Sequence, residues 1–185
     1  MIKTWIKIKE EDLGNFKIFN LARIKYENPY NEQEVDTFII KSKNWVNVIA
    51  TKEDGKVLLI KQFRFGSGVI ELEIPGGLVE NNEDPAEAAR RELKEETGHV
   101  GDAPMLIGVV NPNPAIHSHY CYTYWIKNCK KVEEPSFDGP NEKIEHVLKT
   151  PAEILKLINN KQITHSLVIV AFFWFFLKTK FPPSQ

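Results

Sequence analysis

The sequence predicts an α/β (α+β) fold in which a few helices lie on the faces of a mixed β-sheet. Segments that alternate apolar and charged residues are frequent in the first half, which is typical of β-strands. Helices begin at clear capping sequences, and no repeat or linker separates them from the strands. The chain has 185 residues, which is enough for one sizeable core and short for two.

The strand predictions follow from alternation and from turn signals. The predicted strands are residues 5–9, 22–26, 35–40, 45–51, 56–63, 69–74, 105–110 and 120–126. Glu53-Asp54-Gly55 separates two of them, and this composition is typical of a hairpin turn.

The first predicted helix has well-marked ends. Asp84 is a suitable N-cap, Pro85 suits the first helical position, and Glu87 lies where a capping box places its acid. Gly98 is expected to end the helix in the left-handed conformation.

Two further helices are predicted at residues 150–159 and 164–178. The apolar run from 167 to 177 covers only about 16 Å as a helix, against about 30 Å of membrane hydrocarbon. We therefore expect a buried helix or a subunit contact, and no membrane association.

The first helix carries an unfavourable arrangement of charges. Glu92, Glu95 and Glu96 are three and four residues apart, so like charges share one face. They also lie in the last turns, where the helix dipole favours cations, at a cost of a few tenths to about 1 kcal/mol each. A solvated acidic face is one interpretation. Bound divalent cations are the other, because hard cations bind carboxylate oxygens.

The residues around these acids distinguish the two interpretations. From Gly77 onward the chain is similar to the Nudix box, G-x5-E-x7-R-E-U-x-E-E-x-G-U, where U is aliphatic. Only the last position differs, where His99 precedes Val100. The chain thus resembles the Nudix hydrolases, which implies an α/β/α sandwich and cleavage of phosphoanhydride bonds with Mg²⁺, or Mn²⁺ as a substitute.

The resemblance implies the metal ligands. Glu92 and Glu96 match the principal ligands, Glu95 matches a third that often acts through water, and the backbone carbonyl of Gly76 matches a further one.

The resemblance also implies supporting roles. Arg91 is expected to orient a glutamate of the site through a salt bridge, and Glu83 matches the first, supporting glutamate of the box. Gly77 is expected to let the preceding loop pass close to the helix.

Residues outside the box indicate the substrate. Residues 61–64 and 71–77 resemble the R-Q-Y-R … E-x-P-A-G pattern of ADP-ribose pyrophosphatases, and Pro114 lies near their marker proline. This implies hydrolysis of ADP-ribose, or another nucleoside diphosphate sugar, to AMP and a sugar phosphate, here ribose 5-phosphate. Arg64 either contacts phosphate or forms a structural salt bridge, and Glu73 binds the base, the ribose or Arg64.

The resemblance places the catalytic base in a loop at residues 133–145. Glu142 matches best and Glu145 is the second choice, with an ordinary exposed glutamate as the other interpretation of each. Glycine, prolines and acids in this segment are typical of a mobile loop.

The resemblance further divides the chain into residues 1–44, a β segment that pairs two subunits of a homodimer, and residues 45–185, the hydrolase domain. The net charge of −1 predicts no nucleic-acid partner. Cys121 and Cys129 lack the spacing of zinc ligands, so we expect reduced thiols and a cytoplasmic protein.

Three alternatives stay open. The first is hydrolysis of nucleoside triphosphates or of an RNA 5′ pyrophosphate. The second is a Nudix-like nucleotide sensor without catalysis, although such domains usually lose box glutamates. The third concerns His117 and His119. As residues i and i+2 of a strand they would point the same way. They either bind metal or phosphate together or have no such role.

Overall fold

The computed structural model describes residues 1–136 and 143–180, which form two units. The first unit is Met1–Asn44 together with Asn111–Tyr120. The second unit contains Trp45–Val110 and the described residues from Cys121 onward.

The strands and helices are as follows. They are β1 (Ile6–Asn15), β2 (Asn20–Glu27), β3 (Glu34–Lys41), β4 (Trp45–Thr51), β5 (Val57–Arg64), β6 (Val69–Glu73), β7 (Gly76–Leu78), α1 (Pro85–Thr97), β8 (His99–Val100), β9 (Met105–Val110), β10 (Cys121–Ile126), β11 (Lys130–Lys131), β12 (Ile144–Lys149), α2 (Pro151–Asn159) and α3 (Ser166–Thr179).

The first unit is built on an antiparallel sheet in the order β1-β2-β3. The segment 111–120 joins it through backbone hydrogen bonds to Ile40, whose N–H donates to Ile116 O at 2.7 Å. Several apolar side chains on this sheet are exposed, among them Ile8 and Phe38.

The second unit contains a mixed sheet in the order β12-β5-β4-β10-β9, with β6 paired to β5 and β7 paired to β4. The β4–β10 pair is parallel and the other pairs of this sheet are antiparallel. The predicted hairpin is confirmed, since Ala50 faces Leu58 across β4 and β5.

Helices cover both faces of this sheet, as predicted. On one face α1 buries Ala88, Ala89 and Leu93 against β4 and β10. On the other face α2 and α3 pack against β5 and β9, with Phe172 of α3 completely buried. Strand β4 contributes to both cores because alternate side chains point to opposite faces, so its residues are apolar almost throughout.

Two parts of the prediction are corrected. The loop expected at 133–145 is corrected at its end, because Ile144 and Glu145 belong to β12, which pairs with β5 up to Lys149. Strand β7 was not predicted, because two adjacent glycines have low strand propensity and only pairing with β4 keeps them extended.

Candidate active site

Local capping places the acidic residues of α1. The Asp84 carboxylate accepts the N–H of Ala86 at 2.7 Å, and Pro85 occupies the first turn. Gly98 ends the helix at φ +68°, and its N–H donates to Lys94 O at 2.7 Å. The predicted ends of this helix are therefore confirmed.

Arg91 connects the carboxylates of this region. It makes a forked contact with Glu83 at 2.9 and 3.0 Å, and its Nη1 donates to Glu92 at 2.8 Å and to Glu95 at 3.0 Å. Its Nη2 also donates to the carbonyl of Leu78 at 3.0 Å. The hydrogen bonds from Arg91, first of all to Glu83, raise the pKa of this guanidinium. Arg91 therefore relieves the repulsion among like charges that the sequence indicates.

Two glutamates lie against the backbone of Gly76 and Gly77. The N–H of Gly76 donates to Oε2 of Glu96 at 3.0 Å. A Cβ built on Gly77 would lie 2.4 Å from Oε1 of Glu92. Gly77 thus leaves the space that the Glu92 carboxylate occupies, and the carboxylates of Glu92 and Glu96 both reach the short strand β7.

The Glu92 carboxylate is largely shielded from water, with 14% of its side chain exposed. Burial raises its pKa, although the hydrogen bond and positive charge of Arg91 oppose the shift. A buried carboxylate that is only partly compensated gains further stabilisation from a cation.

The predicted ligands suit a hard divalent cation, since they are carboxylate oxygens and the backbone carbonyl oxygen of Gly76. Within residues 1–136 and 143–180, however, no three acidic, histidine or cysteine side chains already form a metal-binding group. Glu92 and Glu95 point to Arg91, and Glu96 accepts from Gly76. The full set of metal ligands stays a prediction.

Arg64 and Glu73 form a second charged pair. The guanidinium makes a forked contact with the carboxylate at 2.9 and 2.7 Å, and Nδ1 of His165 lies 3.5 Å from Glu73 Oε2. Glu73 is 2% exposed. Burial raises its pKa, but the hydrogen bonds and positive charge of Arg64, together with the nearby imidazole of His165, outweigh this and lower the pKa to about 2. Glu73 was expected to bind the base, the ribose or Arg64, and in the structure it binds Arg64.

Three predicted site residues remain, and they fall in different parts of the chain. Glu142 lies outside the described residues, so its role as base stays a prediction. Glu145 lies on β12, where it pairs with Lys61 at 2.8 Å. Pro114 belongs to the first unit.

The two histidines of the first unit stack on each other, with ring centroids 5.1 Å apart. His119 Nδ1 lies 2.9 Å from Ser42 Oγ, and burial lowers the pKa of His119. These contacts favour a packing role for His119 over metal binding.

His99, the departure from the box, is accommodated by the structure. Its Nδ1 lies 2.8 Å from Thr97 O, and its side chain is buried directly after α1. Both cysteines are free as expected, and burial raises the pKa of each thiol to about 12. No helix in the described part of the chain is long and apolar enough to span a membrane.

A cavity of about 570 Å³ lies beside α1, next to Arg91 and Glu95. Arg90 and Lys94 line it, although neither is a fixed position of the box. Their spacing of four residues places them on one face of the helix, and this spacing is the sequence signal from which a shared surface could be predicted. A cavity of this size is typical of a small-molecule site.

Comparisons with known proteins identify the family of the chain. A family model described as the NUDIX domain matches residues 41–168. The ADP-ribose pyrophosphatase of Bacillus subtilis (strain 168) is 28% identical over 156 residues, which is 84% of this chain and 84% of the relative. The methanol dehydrogenase activator of Bacillus methanolicus is 28% identical over 164 residues, covering 89% of this chain and 88% of that one.

A solved structure supports the fold. The crystal structure of an ADP compounds hydrolase superposes with a TM-score of 0.81 and covers 98% of each chain. At 20% sequence identity, this similarity concerns the fold alone.

Proposed function

The chain belongs to the Nudix family and is a hydrolase of phosphoanhydride bonds, and we propose that its substrates are nucleoside diphosphate sugars, with ADP-ribose favoured. The products would be AMP and ribose 5-phosphate. The observation that carries the proposal is the convergence of Glu92 and Glu96 on Gly76 and Gly77. The substrate class is supported by the relative from Bacillus subtilis, whose similarity spans 84% of this chain.

We propose a divalent cation as cofactor, with Mg²⁺ preferred and Mn²⁺ as a substitute. Glu92, Glu95, Glu96 and the carbonyl of Gly76 would hold it. When bound, the cation supplies positive charge that neutralises the diphosphate oxygens. Without it, this acidic cluster would repel the substrate.

The protein residues have separate tasks in this proposal. Arg91 keeps Glu92 and Glu95 oriented, and Glu83 holds Arg91 from the opposite side. Correct orientation matters because phosphoryl transfer depends mainly on positioning and on charge compensation.

Arg64 is the proposed contact to the anionic substrate. Its side chain is 42% exposed while Glu73 is almost fully buried. Glu73 therefore acts by orienting Arg64, and a planar guanidinium held in this way suits two-point recognition of phosphate. Pro114 is retained as a substrate contact from the resemblance.

Glu142 is the proposed general base. Glu145 stays the second choice, and its ion pair with Lys61 argues for Glu142. Comparison of Glu142→Gln with Glu145→Gln separates them: the base variant should lose most of kcat, while the other should retain it within a few-fold.

We also propose that the protein is a homodimer and that it is located in the cytoplasm. Exposed apolar side chains on the sheet of the first unit support pairing of two subunits, and the free cysteines fit a reducing compartment. Light scattering should give twice the 21.3 kDa mass of the chain.

The decisive experiment is an activity screen in Mg²⁺ across ADP-ribose, other nucleoside diphosphate sugars, dinucleoside polyphosphates and nucleoside triphosphates. The Glu96→Gln variant serves as the control for contaminating hydrolases. Turnover of ADP-ribose with release of AMP supports the proposal. Hydrolysis of triphosphates alone would favour the first alternative, and tight binding without turnover would favour a sensor.

A further inference from the structure

The carboxyl end of α1 is fully supplied with hydrogen-bond donors. The last four carbonyls of a helix have no partner within the helix, so they need donors from elsewhere. The contacts are Gly98 N to Lys94 O at 2.7 Å, Ser136 N to Glu95 O at 2.9 Å, His146 Nε2 to Glu96 O at 2.9 Å and His99 Nδ1 to Thr97 O at 2.8 Å. The end of this helix is therefore held in place by several separate elements.

His146 differs from the other donors. It comes from β12, fifty residues further along the chain, and reaches the carbonyl of Glu96 with its side chain. A carbonyl oxygen can only accept, so Nε2 of His146 must carry the hydrogen. A single side chain substitution can thus remove this contact without changing the backbone.

Glu96 is held at two points as a result. Its carbonyl accepts from His146 at 2.9 Å, and its carboxylate accepts from the N–H of Gly76 at 3.0 Å. The two donors lie on β12 and β7, which are separate strands of the same sheet. Such a two-point hold limits movement of the backbone and of the carboxylate together.

We propose that His146 is a positioning residue that fixes Glu96 for cation binding. The inference rests on the cation assigned to Glu92 and Glu96 in the proposed function. In this role His146 contacts no substrate and acts only through the backbone of Glu96. Outer partners of metal ligands typically change metal affinity by about 10–100-fold when they are removed.

The test compares two variants of the full chain. His146→Phe keeps a planar ring of similar volume and removes the donor, whereas His146→Gln keeps an N–H donor and removes the ring. Leu148→Ala, a change at an exposed position on the same strand, is the control. Binding of Mn²⁺ to protein without substrate is measured by the loss of the free-ion electron paramagnetic resonance signal, and thermal unfolding is followed by circular dichroism.

We expect His146→Phe to weaken Mn²⁺ binding about 10-fold, and His146→Gln and Leu148→Ala to remain within about threefold of wild type. Unchanged affinity in His146→Phe would overturn the proposal. Equal losses in the Phe and Gln variants, or a similar loss in Leu148→Ala, would also overturn it, because the effect would then not depend on the hydrogen bond.

The same measurements separate this inference from the proposed function. If wild type binds Mn²⁺ and hydrolyses no nucleoside diphosphate sugar, the substrate proposal fails and the role of His146 is still decided by the variants. If wild type hydrolyses ADP-ribose and His146→Phe binds Mn²⁺ normally, the role of His146 fails and the proposed function stands.

Discussion

Replacing Gly77 by alanine adds one methyl group where the Glu92 carboxylate packs against the backbone. The new Cβ would lie 2.4 Å from Oε1 and 2.5 Å from Cδ of Glu92, and ordinary contacts begin at 3.4 Å. The carboxylate must therefore move by about 1 Å. Because a displacement of about 1 Å at an active site can cost on the order of 100-fold in rate, we expect a fall of this size in kcat.

Gly77→Ala should leave folding nearly intact. The obstructing atoms are the end of a flexible side chain, so the free energy of unfolding should change by less than about 1 kcal/mol. Gly76→Ala is the matched control, since its Cβ would lie 2.3 Å from the backbone oxygen of Val46. Strand backbone cannot rotate away, and overpacking of this kind typically costs about 1–3 kcal/mol.

The assay combines kcat on ADP-ribose at saturating Mg²⁺ with urea unfolding of both variants. A kcat for Gly77→Ala within threefold of wild type would refute the inferred contact with Glu92. Equal destabilisation of the two variants would refute the distinction between a side chain obstacle and a backbone obstacle.

Three further predictions use other contacts of the site. Glu96→Gln should lower kcat at least about 100-fold, while the urea midpoint of unfolding stays near that of wild type. Glu87→Gln, on the exposed side of α1, is the control and should change neither quantity much. Arg91→Lys removes the forked contact with Glu83, so kcat should fall about 10–100-fold. Urea unfolding should show that the free energy of unfolding falls by about 1–3 kcal/mol. A fully active variant would contradict the connecting role of Arg91. Glu73 has a folded pKa of about 2 against an ordinary 4.5, so its ionised form stabilises the fold above pH 4.5 and this contribution is lost as the pH falls toward 2. Urea unfolding should therefore show a higher free energy of unfolding for wild type than for Glu73→Gln at pH 5, and a smaller difference at pH 3. A difference that does not change with pH would count against the ion pair with Arg64.

The elements that the sequence predicts well depend on short-range chemistry. The ends of α1 follow from Asp84, Pro85 and Gly98, which act within one turn of the residues that they cap. The hairpin around Gly55 has the same local origin. The box also identifies Glu92, Glu95 and Glu96, because the spacing of these three acids lies within a single helix.

The rest of the site depends on pairing between distant segments. Nothing local to Gly76 and Gly77 predicts a strand, and β7 exists because β4 offers it backbone partners. The expected loop up to residue 145 likewise becomes β12 at Ile144 through pairing with β5. Propensity is a weak signal at such positions, where tertiary hydrogen bonds decide the conformation.

Local patterns in the sequence therefore predict the reaction class, the capped helix α1 and the acidic residues proposed to bind a cation. Three contacts become visible only in the folded chain: Gly77 leaves space for Glu92, Glu73 is buried against Arg64, and His146 reaches the carbonyl of Glu96. The physical reason is the distance along the chain. Capping and helical spacing act over a few residues, whereas these contacts join residues 9 to 50 positions apart. Such residues come together only when the strands of the sheet pair and α1 packs against them.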